Sequence, residues 1–471
     1  MKAMTLSGVE IEVNQDALDG LKNRLSGPII QADDPGYEDS RTVWNAMISR
    51  KPAFVVQCLG TADVIACVEF ARANKLLLCI KGGGHNIAGL GTADGAMMLD
   101  LSLMRGVWVD TLNKVGHAQA GCRLGDVDRE TQVHGLAAVL GFVSLTGIVG
   151  LTLGGGFGYL TRRWGWTSDN VLGMDVVTAE GELVRASEEE NADLFWGLRG
   201  GGGNFGVVTG IDYRLFPVGP EVVGGPVAWP ADQAPGVLEL YRDLTENAPP
   251  ELTLVTFIRL APPAPWLPVE YHGKPIVAIL ACYSGDPDEG ERVVAPIKSF
   301  GSPIGDVMTR RPYTQLQSLL DATQPKGRRY YWKSEYLPDV KPALCELVMK
   351  HAGKIPSPHA AVILFHLAGA LNEFPDDHSP VGNRDAGYVL NIAGSWEEEA
   401  ADQQNIEWAR QAWNEMKQFS TGGTYINFLT EDEGSQRVEA ALGGGIRRLS
   451  EVKTRWDPEN IFRTNRNILP E

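Results

Sequence analysis

Three runs of glycine, at 82–84, 154–156 and 200–203, limit what this chain can become more than any other feature of its sequence. Glycine suits sharp turns and close backbone approach, and it weakens regular helices and strands. All three runs lie in the first half, with a looser one at 443–445. No period links them, which excludes collagen-like and repeat architectures. The first sits in IKGGGHNIAGL (80–90), directly after the apolar run LLLCI (76–80). A buried strand therefore runs into a bare-backbone turn that carries one imidazole, His85. Taken alone, such a histidine is either incidental to a surface loop or touches a ligand that the glycines admit.

A chain of 471 residues predicts roughly two to three domains. The net charge of −17 argues against nucleic acid or an anionic membrane as partner, since both need a positive face. Six scattered cysteines show neither disulfide nor zinc spacing, and the other histidines follow no ligand spacing, so no metal is expected. The N-terminus lacks a signal-peptide core and no apolar run approaches a membrane span; a cytoplasmic protein is expected.

Apolar spacing predicts a helix from Thr61, with Thr61 as its cap, and another over 124–136 ending at Gly135. Strands are expected at 76–80, 97–101 and 115–121, with a hairpin over 170–186 and a strand over 203–217 closed by proline. After Pro217 prolines crowd 217–235 and 249–268, and long strands are expected at 275–284, 360–369 and 387–396. An acidic-headed amphipathic helix is expected over 397–416. This is an α+β pattern with boundaries near 217 and 417: residues 1–217, an inserted antiparallel-sheet domain at 218–417 flanked by helices, and a returning tail at 418–471.

The second run, LGGGFGYLTRRWG (153–165), does not complete the G-x-G-x-x-G fingerprint of a Rossmann unit, and no Walker loop occurs. Read in order, however, KGGGHNIAG, TGIVGLTLGGGFG (146–158), TSDNVLGMDVVTAEGE (167–182), DLFWGLRGGGGNFGVVT (193–209) and the tail TYINF (424–428) with VKTRWDPENIFRTNRNI (452–468) resemble the berberine-bridge-enzyme-like branch of the vanillyl-alcohol-oxidase-type flavoenzymes. The resemblance covers nearly the whole chain. It implies a two-part FAD domain of the PCMH type around a substrate domain. Flavin contacts are then expected from Lys81, Gly82, Gly83, Gly84, Asn86 and Gly89 in the first turn. The second loop would add Thr146, Gly147, Gly150, Gly154, Gly155, Gly156, Phe157 and Gly158, followed by Asp169 and Asn170. The third would add Gly206, Val207 and Val208, and the tail Asn427 and Asn465, as cofactor contacts or braces. Backbone N–H groups in such turns hold a diphosphate without lysine or arginine.

The resemblance also implies a covalent bond from His85 to the flavin's ring methyl. Many relatives add a second bond from a cysteine, but GFVSLTG (141–147) places Val143 there, so a single link through His85 is expected. Thr146 occupies a position tied in relatives to dioxygen access. Ile87 replaces a catalytic tyrosine, and Asn391 stands where relatives carry glutamate or glutamine; an amide orients a substrate but cannot take its proton. Tyr425 is the first candidate for a phenolic base and Tyr388 the second, each with packing as the alternative. The run RRYYWKSEY (328–336) is either a cleft wall or an ordinary strand. The expected activity is an FAD-dependent oxidase, passing a hydride from a secondary-metabolite intermediate or a sugar hydroxyl to the flavin and electrons to O2, giving H2O2. Insertion of oxygen into a polyketide-like substrate, or flavin binding without turnover, are the alternatives.

Overall fold

The computed structural model describes residues 1–471, arranged around three main sheets. In the first, Phe54–Gln57, Met97–Asp100 and Leu78–Lys81 run parallel, and Ile29–Gln31 adds antiparallel to the edge. Parallel strands covered on both faces read as unbroken apolar runs, as MML and LCI do here. The helix Thr61–Ala73 bridges two of these strands; Gly60 is its cap, and Thr61 is its first helical residue instead of the expected cap.

The second sheet is antiparallel, in the order Leu183–Ala186, Val171–Val177, Val207–Arg214, Val115–Gln119, Val107–Asp110. The hairpin falls within 170–186, whereas the strand expected from 203 begins only at Val207 because residues 200–206 are spent on a glycine turn. The helix expected over 124–136 spans Leu124–Gln132; Gly135, at φ 64°, turns the chain out of it.

The third sheet draws on residues 221–396. Its order is Gly305–Asp306, Glu221–Pro230, Pro275–Tyr283, Leu252–Leu260, Ala361–His366, Tyr388–Trp396, Arg329–Leu337, with Thr309–Pro312 also pairing to Glu221–Pro230. Glu221–Pro230 and Leu252–Leu260 were hidden in the sequence by their neighbouring prolines. Side chains alternate between faces with period two. Leu390, Ile392 and Trp396, with Val362 and Leu364, pack on one face. They meet helices Ala234–Glu246, Pro342–Ala352 and Asp402–Met416, the last beginning after a short turn at Glu399–Ala401. Val389, Ala393, Ile363, Phe365 and Val255 face the other way, toward the glycine loops.

Two buried cations close the seam between this sheet and those loops. The Arg162 guanidinium gives Nε to the Leu252 carbonyl (2.7 Å) and Nη1 to Leu367 (3.0 Å), with Nη2 on Ala248 (3.0 Å). Burial draws its pKa down to about 10. Arg384 grips Asp169 at 2.7 Å through both nitrogens. The tail then returns to the first half: Ile461 and Phe462 join the core of the first sheet, and Leu449, Val452 and Ile468 that of the second. Lys453, fully buried, binds Asp457 (2.6 Å) and the carbonyls of Asn204 and Phe462. No helix is long and apolar enough to cross a membrane.

Removing one member of a buried ion pair leaves the other's buried charge uncompensated, which costs about 3–5 kcal/mol. Asp169→Ala leaves the Arg384 guanidinium, 3% exposed, in that state. Chemical denaturation of this variant is expected to show a loss of that size, with Asp169→Asn intermediate.

Candidate flavin and substrate site

Strand Leu78–Lys81 delivers the turn 82–85 to the centre of the molecule. There it meets the loop at 146–147 backbone to backbone. A Cβ on Gly83 would lie 2.6 Å from Gly147 Cα, and one on Gly147 2.6 Å from Gly83 N. No other residue fits either place. The third run joins through the Gly202 N–H, which donates to the Leu153 carbonyl at 3.0 Å. The tail closes the ring: Asn427 Nδ2 donates to Leu151 O (3.1 Å), and its amide fills the space beside Gly154. Together these segments enclose a cavity of about 340 Å³, within the range of ligand sites.

Of the residues singled out in the sequence, Lys81, Gly82, Gly83, Gly84, His85, Asn86, Thr146, Gly147, Gly150, Gly154, Phe157, Gly206, Val208, Asn391, Tyr425, Asn427 and Asn465 line this cavity. Others do not. Gly89 packs against Ile48, Gly155 against Val381, and Gly158 lies under the Leu140 carbonyl. The Gly156 N–H is spent on the Tyr425 hydroxyl. Asp169 is taken by Arg384, and Asn170 Nδ2 by the carbonyls of Trp164 and Trp166. Val207 belongs to the core of the first sheet. Tyr388 fails by parity: three residues from Asn391 on one strand, it must face the helices, where its hydroxyl donates to Thr245 Oγ1 at 2.7 Å.

Lys81 is a wall residue already committed, 3.1 Å from Asp100 and bonded to the Ser40 carbonyl. His85 keeps some surface toward the cavity, but its Nε2 is enclosed and has no hydrogen-bond partner. Burial draws its pKa down to about 4, so the ring is neutral at physiological pH. Tyr425 is buried, which pushes its phenol above the ordinary range. The hydroxyl oxygen accepts from Gly156 N–H (3.1 Å) and Asn427 Nδ2 (2.9 Å), leaving its own proton for a ligand.

Trp332, in the run 328–336 that offered either a cleft wall or a strand, lines the cavity from a strand; the rest of the wall was not legible in the sequence. Phe365 stands 5.1 Å from Phe142, 5.3 Å from Phe157 and 6.4 Å from Phe428, and Trp332 meets Phe428 edge-on at 5.0 Å. Phe257 and Ile363 extend the same surface. Two amide oxygens in the lining, Asn391 Oδ1 and Gln324 Oε1, are buried without partners. Arg466 also reaches the cavity, with Nη2 on the carbonyls of Leu429 and Thr430 at 2.6 Å each. The lining contains no cysteine and no carboxylate.

A flavin dinucleotide fits these residues. The N–H groups of Gly82, Gly83, Gly84 and Gly147 make no hydrogen bond within the chain and are open to a diphosphate, Asn465 Oδ1 is a further buried acceptor without a partner, and an unpartnered imidazole stands where the first turn ends. An FAD binding domain family matches residues 52–187, and the family described as berberine and berberine like matches residues 424–469. An FAD-linked oxidoreductase of Dictyostelium discoideum is 30% identical over 431 residues, 91% of each chain. The (R)-6-hydroxynicotine oxidase of Paenarthrobacter nicotinovorans is 30% identical over 455 residues, 95% of this chain and 97% of that one. The crystal structure of 6-hydroxy-D-nicotine oxidase from Arthrobacter nicotinovorans superposes with a TM-score of 0.84 at 27% identity, covering 95% of this chain and 98% of the other. With the glycine ring, the imidazole and the returning tail all in place, the chain belongs to the berberine-bridge-enzyme-like family of FAD-dependent oxidoreductases.

Proposed function

We propose that the protein is an oxidase that holds FAD by one covalent bond through His85, takes a hydride from an uncharged, ring-bearing amine, and passes the electrons to dioxygen as hydrogen peroxide. The observation that carries this reading is the neutral imidazole with its enclosed, unpartnered Nε2 in a lining without cysteine. Neutral imidazole is a competent nucleophile. Attachment would join a nitrogen of the His85 ring to the carbon of the cofactor's ring methyl group. One methyl proton and the imidazole N–H proton leave, and the released electron pair ends on dioxygen.

When bound, the cofactor supplies hydride acceptance and electron transfer to dioxygen. The chain supplies the surroundings. The aromatic wall around Phe365 excludes water and receives an apolar ring, gaining about 25 cal/mol per Å² buried. A sugar fits it poorly, since each hydroxyl buried there without a partner costs about 1–3 kcal/mol. The Asn391 and Gln324 oxygens accept from N–H or O–H groups of the substrate and fix its orientation. Tyr425 stays protonated at neutral pH and offers its O–H to a bound ligand away from the reacting nitrogen; it is not a resting base. With no carboxylate present and the histidine engaged, an amine suits the site better than an alcohol. A neutral amine releases hydride by pushing in its own lone pair, and the N–H proton departs afterwards to water; an alcohol needs a base first. The relative named for 6-hydroxynicotine supports a substrate of the same chemical kind.

Two experiments bear on this. After acid precipitation the yellow colour is expected to stay with the wild-type pellet and to wash out of His85→Ala. Protonation removes the lone pair that attacks, so the attachment rate in flavin-free chain given FAD should stay level from pH 8 to about 5. It should fall only as pH drops through about 4; a decline centred near 6.5, the ordinary histidine value, contradicts the buried neutral ring. In turnover, cyclic amines should reduce the enzyme faster than the matching alcohols, with peroxide formed and no labelled oxygen in the product. Asn391→Leu should keep its covalent flavin and lose about 10–100-fold in kcat/KM, as expected for one substrate hydrogen bond of about 1–3 kcal/mol.

A further inference from the structure

The His85 ring receives no hydrogen bond from any other residue: Nε2 is unpaired, and its one internal interaction is with its own backbone. Rotation about its side-chain bonds is therefore not restrained by a polar contact with any other residue. What restrains it is a stack. The indole of Trp44 lies 4.4 Å from the imidazole, centroid to centroid, with 17° between planes. On the far side of the same indole lies Tyr330, at 3.6 Å and 15°. Trp332 closes the edge at 5.5 Å and 68°.

Trp44 is itself immobilised. Its N–H donates to the Gly84 carbonyl (2.9 Å), and its carbonyl accepts from Gly327 (3.0 Å). Its indole Nε1 reaches Gln324 O (3.0 Å). The next residue, Asn45, bonds the Ile87 and Tyr330 carbonyls (2.8 and 3.0 Å) and receives the Tyr330 N–H (3.1 Å). Ala46 N–H continues the tie to Arg328 O at 3.0 Å. Residues 44–46 thus strap the histidine turn to the edge strand Arg329–Leu337 of the third sheet. The polar side-chain groups of the strap are satisfied, and the indole face not taken by Tyr330 lies against the imidazole.

Forming a bond between two held groups depends steeply on alignment, and a misplacement of about 1 Å costs on the order of 100-fold in rate. We infer that Trp44 is a positioning residue for flavin attachment: stacked between His85 and Tyr330, it fixes the plane of the imidazole so that a ring nitrogen meets the cofactor's ring methyl. This rests on the His85 bond proposed above, with dioxygen as acceptor of the released electron pair. The stack carries the geometry; the indole N–H to Gln324 is secondary.

The test uses full-length protein produced in flavin-starved cells and then given FAD, following total bound flavin before acid and pellet-bound flavin after it. Trp44→Phe keeps a stacking ring and loses the indole N–H; Trp44→Leu loses both. Both are expected to bind FAD, with Trp44→Phe attaching it within about 3-fold of wild type and Trp44→Leu at least about 10-fold more slowly. Attachment at the wild-type rate in Trp44→Leu overturns the inference, and so does equal slowing in both variants, which assigns the effect to the Gln324 bond. If Trp44→Leu does not fold, Tyr330→Leu and Tyr330→Phe decide: slower attachment in the leucine variant supports the stack, equal rates overturn it. Wild-type protein that releases its flavin into acid sinks the His85 bond itself; normal wild-type attachment with indifferent Trp44 variants sinks only the role of the stack.

Discussion

The contact of bare backbone at Gly83 and Gly147 is the constraint on which the site depends. With 2.6 Å between each projected Cβ and the opposite main chain, the two loops can nest only if neither carries a side chain. Once nested, they leave a rim of unobstructed N–H groups, which is how a chain of net charge −17 accommodates a dianion without a basic pocket. The third glycine turn and the Asn427 amide then have a fixed edge to build against. The charged lysine nearest this rim, Lys81, is spent on Asp100, so anion recognition falls to the backbone.

The electrostatics of the lining follow from the same economy. Lys81 is paired with Asp100 and Arg466 Nη2 is held by carbonyls while its Nε has no partner; the lining lacks carboxylates, and its imidazole is neutral. Such a surface has little to offer an ionic substrate and much to offer a flat apolar one. The amide oxygens of Asn391, Gln324 and Asn465 are the exceptions, and an acceptor buried without a partner is costly enough that a ligand donor at those points has a clear energetic reason to be there.

Where sequence was sufficient, the signal was local. The turn at 82–85 could be read because glycines and a histidine follow an apolar strand without interruption, and the missing cysteine because one residue, Val143, occupies one motif position. Where it failed, the cause was geometric. Tyr388 and Asn391 were both placed at the reaction centre, yet an odd separation on one strand sends them to opposite faces, a conflict visible in the numbering itself. Asp169 and Asn170 sit inside a flavin-domain motif but serve the seam, gripping Arg384 and the Trp164–Trp166 turn. The aromatic wall gathers Phe142, Phe257, Trp332, Phe365 and Phe428 from distant segments, and no spacing in the chain announces such a gathering. The pairing of Trp44 with Tyr330, far apart in sequence and 3.6 Å apart in space, is hidden for the same reason.

The strict alternation of the third sheet has a consequence for how such enzymes diversify. Leu390, Ile392, Val362 and Leu364 anchor the helical layer, while Asn391, Ile363, Phe365 and Phe257 on the reverse side meet the ligand. Selectivity and folding are thereby written on interleaved residues of the same strands, so exchanges at the ligand-facing positions can retune what is oxidised while the scaffold's own packing goes untouched.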